Sequence, residues 1–551
     1  MKKLTFVYIL IFITFLQAAS AQNERPKLIV GIVVDQMRYD YITRYYDKFG
    51  EGGFKRLLKK GFNCKNTHYN YVPTETAPGH ASVYTGTTPA YHGIVANDWF
   101  EDKKKRYCVG DSTVKTVGSE TSNGEMSPRN MIATTFGDQL RIASNQKSKV
   151  FGVSLKDRGA ILPAGHAANA AFWYDKLSGK FITSTYYMNQ LPTWVQQFNE
   201  AKPADKYLEE TWETMLPLAK YTESAPDDNT YERLLPGKER PTFPYNLKKI
   251  CEAMKKTQFK MSPYDLLTIT PYGNTLVKEM AIRTLTNEKL GKGEATDILA
   301  ISFSSTDIIG HYFGPQSVEV EDCYLRLDKD LEELLEYFDK EVGEENYLLF
   351  LTADHAGANV PRHAQDMKIP AGYFPIKDAL EKLSSTLNKQ FGDGKWIDFG
   401  ESSGIYLNKA LIAEKELSLE DFQETCIDFF RKTTGVYEAY STEDFGDVYN
   451  DSGMLSFIQR GYYHLRSPDV YVVLKSGWLD ESWQRGGTSH GTLYNYDTHV
   501  PLLWYGWKVP QGKNTVRRVY ITDIAPSVCM FLNLQMPSLA FGEPVIELWQ
   551  E

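Results

Sequence analysis

Cysteine is scarce, with six residues in 551 (Cys64, Cys108, Cys251, Cys323, Cys426 and Cys529), and none of their spacings matches a zinc ribbon or a redox CxxC pair. A thiolate metal cage and a dithiol redox centre are therefore excluded. The spacing selects no disulfide pattern, and buried free thiols stand equally open. Basic excess is also missing: the formal charge is −9, which argues against nucleic acid as a partner. An anionic substrate would need a local positive centre. No period of about 20 to 50 residues recurs, and no low-complexity tract breaks the chain, so solenoids and propellers are not indicated.

Long apolar runs are absent except at the start. There, Lys2-Lys3, an apolar stretch from Leu4 to Leu16 and Ala19-Ser20-Ala21 form the charged, hydrophobic and small-residue segments of a secretory signal peptide. The run is shorter than the roughly 20 residues of a spanning helix, so cleavage is expected after 1–21, with the mature chain beginning near Gln22 and holding no membrane span. No cysteine follows the small-residue box, which argues against a lipid anchor. The protein is expected to be secreted or periplasmic, with a charge of about −11 once Lys2 and Lys3 depart.

What the chain does contain is a recurring arrangement: a hydrophobic run that ends in acid and histidine. Asp297-Ile-Leu-Ala-Ile-Ser-Phe303 precedes Asp307-Ile-Ile-Gly-His311, Tyr347-Leu-Leu-Phe-Leu-Thr352 precedes Asp354-His355, and Lys27-Leu-Ile-Val-Gly-Ile-Val-Val34 ends in Asp35. Such continuous runs suit parallel strands covered on both faces, and open α/β sheets bind ligands at the carboxyl ends of their strands. The reading is a divided two-metal site on one sheet edge. Strand-like runs at 27–34, 149–155, 297–303 and 347–352 alternate with helical patterns such as Glu319 to Asp339, where Leu327, Leu331, Leu334, Leu335 and Phe338 share a face. The expected fold is α/β, a doubly wound and mostly parallel sheet. Two irregular stretches, about 163–294 and 360–465, read as inserted cap segments, the second carrying an amphipathic helix near Leu419 to Lys432. Because the ligand motifs bracket both, 22–551 is read as a single interrupted catalytic domain.

Within Tyr71-Val-Pro-Thr-Glu-Thr-Ala-Pro-Gly-His80, Thr76 follows an extended segment and precedes a turn expected to open a helix at about His80 to Tyr84. A lone turn threonine is usually only that; beside three acid and imidazole clusters it becomes a candidate nucleophile, since a bound metal ion stabilises an alkoxide. Leu155-Lys156-Asp157-Arg158 ends another apolar run. Residues two apart on an extended chain face the same way, so Lys156 and Arg158 are expected to reach the site together and to suit a dianionic phosphoryl group.

Asp35, Thr76-Ala-Pro-Gly-His80, Asn97, Lys156-Asp-Arg158, Asp307-x-x-Gly310-His311, Asp354-His355 and His490-Gly491 occur in the order found in the alkaline phosphatase superfamily, and the chain resembles its PafA-type phosphate monoesterases over nearly all of the mature length. The resemblance implies two zinc ions, one held by Asp307, His311 and His490, the other by Asp35, Asp354, His355 and the Thr76 oxygen. It further implies attack by Thr76 on small phosphate monoesters, with a phosphothreonine intermediate, net retention at phosphorus, and Asn97, Lys156 and Arg158 on the phosphoryl oxygens. Ala356 stands where many members of the superfamily have glycine; the loss of a ligand is not expected from it. His68, His80, His92, His166, His363, His464 and His499 are read as structural or supporting. No cysteine lies in the C/S-x-P-x-R setting of a type I sulfatase. A nucleotide pyrophosphatase/phosphodiesterase shares the ligands, the threonine and the asparagine, so it is the enzymatic alternative. Lys156 and Arg158 discriminate against it, because a diester carries one charge fewer and a second substituent. A non-catalytic zinc-binding protein would have no use for Thr76.

Overall fold

The computed structural model describes residues 25–257, 261–442, 445, 450 and 452–550. The expected signal peptide lies outside the described residues. Among those that are described, no helix is long and apolar enough to cross a membrane, and the six cysteines are unpaired, five of them buried.

Ten strands form the main sheet: β1 (Leu28–Val34), β2 (Phe62–Cys64), β3 (Thr116–Val117), β4 (Val150–Ser154), β5 (Ala170–Asp175), β6 (Lys180–Ser184), β7 (Asp297–Phe303), β8 (Tyr347–Thr352), β9 (Leu502–Gly506) and β10 (Lys513–Thr515), in the order β10-β2-β9-β8-β1-β7-β4-β5-β6-β3. The five central strands, β8-β1-β7-β4-β5, are parallel, and β9 and β6 join them antiparallel on either side. Every residue of β1, β7 and β8 is buried, which is why these strands read as unbroken apolar runs rather than alternating ones. Registry decides where the site falls. Val34 is level with Phe303, Val33 with Thr352, and Ser302 with Ser154, so the residues following β1, β7, β8 and β4 emerge together along one edge.

Helices cover both faces. The ones that bear on the site are α1 (Thr76–Thr85), α2 (Asp157–Ala164), α3 (Tyr272–Asn287), α4 (Ser305–Phe313) and α5 (Val318–Glu341). Leu327, Leu331, Leu334, Leu335 and Phe338 of α5 are all buried, as their spacing requires. The stretch from 163 onward, expected to be cap, supplies β5, β6 and α3 to the main sheet and its helical layer. The alternation is hard to see in sequence because β5 and β6 form a tight antiparallel pair followed by irregular chain, instead of a further strand-helix unit.

Farther along, Ile397–Glu401, Gly404–Leu407, Val470–Leu474 and Val436–Ser441 form a separate four-stranded antiparallel sheet. Helices Ile376–Phe391 and Leu419–Arg431 pack on it around their own core, which includes Leu383, Phe422, Phe430, Val470 and Val472. Strand Val470–Leu474 thus belongs to this second unit, whereas Leu502–Gly506 returns to the main sheet. Both strands read alike in sequence, since burial against either core demands the same residues.

Candidate active site

The loops leaving β1, β8 and β4 bring Asp35, Asp354, His355 and Lys156 to the same edge, and α4, which follows β7, carries Asp307 in its first turn and His311 one helical turn beyond. His490 arrives on a distant loop. In two groups, Asp307/His311/His490 and Asp35/Asp307/His355, one ligand atom from each residue lies within 4.8 Å of the others. Asp307 Oδ1 is 3.1 Å from His311 Nε2 and 3.6 Å from His490 Nε2, while His355 Nε2 is 3.4 Å from Asp35 Oδ1 and 3.7 Å from Asp354 Oδ2. Asp307 thus belongs to both groups, and Asp354 lies beside Asp35 and His355 of the second.

Each histidine is oriented by the main chain. Nδ1 of His311, His490 and His355 bonds to the carbonyl oxygens of Thr488, Thr74 and Ala356 at 2.8, 2.7 and 2.9 Å. A carbonyl only accepts, so Nδ1 carries a proton and Nε2 is the nitrogen turned to the acid cluster, the one a metal would take once it is deprotonated. Burial holds His355 down at about 3, and burial with His355 and His311 nearby holds His490 well below the usual imidazole range. Ala356 takes no left-handed conformation, and its N–H donates to Asp497 O at 2.8 Å, so the alanine is accommodated.

The charges do not balance with protein groups alone. Asp35, Asp307 and Asp354 face one ammonium, Lys156 Nζ, which lies 2.6 Å from Asp35 Oδ2, 2.6 Å from Asp307 Oδ2 and 3.3 Å from Thr76 Oγ1. Burial, then Asp307 and Asp354, pushes the Asp35 carboxyl well up; burial lifts Asp354 to about 6. Asp307 stays well below the carboxylate range despite burial, because His311 and Lys156 face it. Asp35 Oδ1, Asp354 Oδ2 and His355 Nε2 are buried without a hydrogen-bond partner. Buried atoms of this kind are normally satisfied, and unpartnered carboxylate oxygens converging with imidazole lone pairs fit divalent cations.

Thr76 opens α1, which begins four residues earlier than expected because Pro78 fits the first turn, where its missing N–H is not required. The hydroxyl therefore projects from a helix mouth over the cluster. Two side chains fix that turn: His80 Nδ1 bonds Thr76 O at 2.8 Å with Nε2 on Ser302 Oγ at 2.9 Å, and Asn97 Oδ1 accepts from Ala77 N at 2.9 Å, leaving Asn97 Nδ2 to donate elsewhere. His80 is thus a support of the candidate nucleophile. At Gly79 an added Cβ would stand 2.2 Å from Asp354 O, a backbone atom that cannot step aside. Gly79→Ala should accordingly cost about 1 to 3 kcal/mol of stability and lower kcat, since relief must move either Thr76 or Asp354. A thermal-melting curve together with initial rates checks it; an unchanged Tm would mean that the two segments are not in contact.

Lys156 and Arg158 differ from expectation in their backbone. β4 ends at Ser154, and Lys156 is the residue before α2, so Arg158 lies in a helical turn instead of two steps along a strand. Lys156 reaches the cluster centre, whereas Arg158 Nη1 donates to Tyr107 OH at 3.0 Å and its buried Nε has no partner. An unpartnered guanidinium N–H suits an anion.

Two contributors escaped sequence reasoning. Gln36, left-handed at φ 61°, donates from Nε2 to Asp307 Oδ1 at 2.7 Å and from its backbone N–H to Asp354 Oδ1 at 3.2 Å. Glu75 accepts from Asn97 N at 2.7 Å, and burial lifts its carboxyl to about 7. The available signal was adjacency, since each neighbours a singled-out residue, Asp35 or Thr76.

Two candidate metal groups and a helix-borne hydroxyl at the carboxyl edge of a doubly wound sheet define a hydrolase of the alkaline phosphatase superfamily. Residues 29–493 match the family model for type I phosphodiesterase / nucleotide pyrophosphatase, and the chain belongs to that family. The chain is 43% identical to alkaline phosphatase PafA of Elizabethkingia meningoseptica over 95% of this chain and 94% of that protein, and 44% identical to alkaline phosphatase PhoV of Synechococcus elongatus over 95% and 93%. The crystal structure of wild-type PafA matches with a TM-score of 0.90 at 42% identity, covering 95% of this chain and 99% of that one. Within its family this chain is therefore a phosphoric monoester hydrolase, an alkaline phosphatase.

Proposed function

We propose that the protein is a secreted or periplasmic zinc-dependent alkaline phosphatase that hydrolyses small phosphate monoesters through a phosphothreonine at Thr76. The observation that carries this reading is Thr76 Oγ1 lying 3.3 Å from Lys156 Nζ, which itself bridges Asp35 and Asp307 of the candidate metal groups. The mixed carboxylate and imidazole donors suit zinc. Two zinc ions, one with Asp307, His311 and His490 and one with Asp35, Asp354, His355 and Thr76, would supply Lewis-acid stabilisation of charge on the attacking and leaving oxygens. Thr76 Oγ1 forms a bond to phosphorus as the bond to the alcohol oxygen breaks; water then displaces Thr76 and restores it. Two in-line displacements give net retention. Lys156 offsets charge on Thr76 Oγ1, while Asn97 Nδ2 and Arg158 donate to the phosphoryl oxygens. We further take 22–551 as one catalytic domain interrupted by insertions. Secretion rests on Lys2-Lys3, the following apolar run and Ala19-Ser20-Ala21.

The family model's description makes phosphodiester hydrolysis the second reading. Comparing kcat/KM for an aryl phosphate monoester and its methyl diester, with zinc content measured on the same sample, separates the two. Arg158→Ala should lower monoester kcat/KM by about 10- to 150-fold, the worth of one charged hydrogen bond, and diester kcat/KM much less. Equal losses would favour the diesterase.

A further inference from the structure

A cleft of about 240 Å³ opens beside the site, lined on one side by Glu75 and His490 and on the other by Glu401, Tyr406 and Tyr471 of the second sheet unit and by Trp478 and Asp480 of a short strand that pairs with Gly372–Phe374. Its lining holds three carboxylates and no lysine or arginine. Glu75 directly precedes Thr76 and is fixed there by the Asn97 amide at 2.7 Å. Glu401 is exposed to solvent and accepts only from Ser403 Oγ, at 2.8 Å, among its described hydrogen bonds. Asp480 Oδ1 accepts from Ser482 N at 2.9 Å. Hydrogen bonds from a hydroxyl and backbone amides hold these groups in place, while Arg158 acts on Glu75 and Lys105 on Glu401 from outside the lining. Tyr406, Tyr471 and Trp478 add the electron-rich ring faces that attract cations.

The arrangement is bipolar. Lys156, Arg158 and the candidate metal groups lie on the Thr76 side together with Glu75, and Glu401, Asp480 and the rings lie across the cleft. We propose that this cleft receives the alcohol half of the ester and selects phosphate monoesters whose alcohol carries an ammonium group. The proposal rests on Thr76 as nucleophile, because that places the phosphoryl group next to His490 and Glu75 and directs the leaving alcohol toward the second sheet unit. A zwitterionic ester then lies with each charge against its complement. An ester with a carboxylate on the alcohol meets like charge.

The test compares kcat/KM for phosphocholine, for 3,3-dimethylbutyl phosphate, which has the same shape without the positive charge, and for 3-phosphoglycerate. Phosphocholine should exceed the neutral isostere by about 3- to 30-fold, the range of a cation held over an aromatic face, and 3-phosphoglycerate should be the poorest of the three. Glu401→Gln and Asp480→Asn should each lower the phosphocholine-to-isostere ratio, and Glu401→Lys should raise 3-phosphoglycerate relative to phosphocholine. Two different variants guard against a folding defect in either one, and a ratio within one preparation is independent of the fraction folded. A ratio at or below one in the wild type, or a ratio unmoved by both neutral variants, overturns the cleft assignment while release of phosphate from the isostere leaves the catalytic reading standing. Release of phosphate from none of the three esters would overturn both.

Discussion

Thr76→Ala should fold, bind metal and lose about 10⁴-fold or more of kcat toward an aryl phosphate monoester, the scale on which removal of a nucleophile leaves only binding and charge stabilisation. The size of the effect follows from geometry: in this cluster Thr76 supplies the hydroxyl at the helix mouth within reach of Lys156, at 3.3 Å. Thr76→Ser, which keeps a hydroxyl and drops only a methyl, should recover a large part of the loss. Acid quenching during turnover of a radiolabelled monoester should leave phosphate on the peptide that contains Thr76. A label on another residue, or alanine-variant rates near wild type, would remove Thr76 from the role.

Chelation should have an effect of similar size. Dialysis against a chelator should abolish activity, and zinc should restore it at about two ions per chain. His490→Ala should empty chiefly one group, because His490 reaches Asp307 and His311 whereas Asp35, Asp354 and His355 are held from β1 and β8. A single tight ion in fully active enzyme would contradict the divided site. The metal-free protein also has a predictable pH response. Asp354, raised to about 6, and Asp35, raised in the same direction by burial, bind protons in the folded apoprotein that the unfolded chain has already released above about pH 4. The stability they contribute is complete below that pH and is lost as pH rises, through about 6 for Asp354. Asp307, held low, stays ionised throughout this window and changes little. Metal binding requires the deprotonated carboxylates, so the gap in Tm between zinc-loaded and metal-free protein should widen from pH 5 to 7. A gap that narrows would mean that these carboxylates are not metal ligands.

The remaining histidines show how residue type and role part company. His80 and His355 are both fully buried and both have imidazoles held neutral by burial. His80 spends its two nitrogens on Thr76 O and Ser302 Oγ, whereas His355 keeps Nε2 unpartnered among carboxylates. The sequence sets them apart only in that His355 follows an acid at the end of an apolar run; which nitrogen each ring keeps free is decided by these contacts. Gln36 likewise became visible only through its contacts, because an amide after a strand has no chemical signature until the chain brings Asp307 and Asp354 around it.

By itself the sequence determined the parallel core and the contributors to its edge. Strands buried on both faces must be continuously apolar, so β1, β7 and β8 were legible with boundaries within a residue of those observed, and the acids that end them had to emerge on one edge. It also supplied Thr76, Lys156 and Arg158 as candidates, since a hydroxyl and two cations beside metal-type ligands have few other uses. Only the tertiary structure decided how these groups meet. It made Thr76 the first residue of its helix, sent Lys156 to Asp35 and Asp307 and Arg158 to Tyr107, and assigned Val470–Leu474 to the second sheet rather than the first. The physical reason is that hydrophobic pattern reports how deeply a segment is buried, while the partner it is buried against, and the direction in which a polar side chain leaves it, depend on contacts between residues hundreds of positions apart.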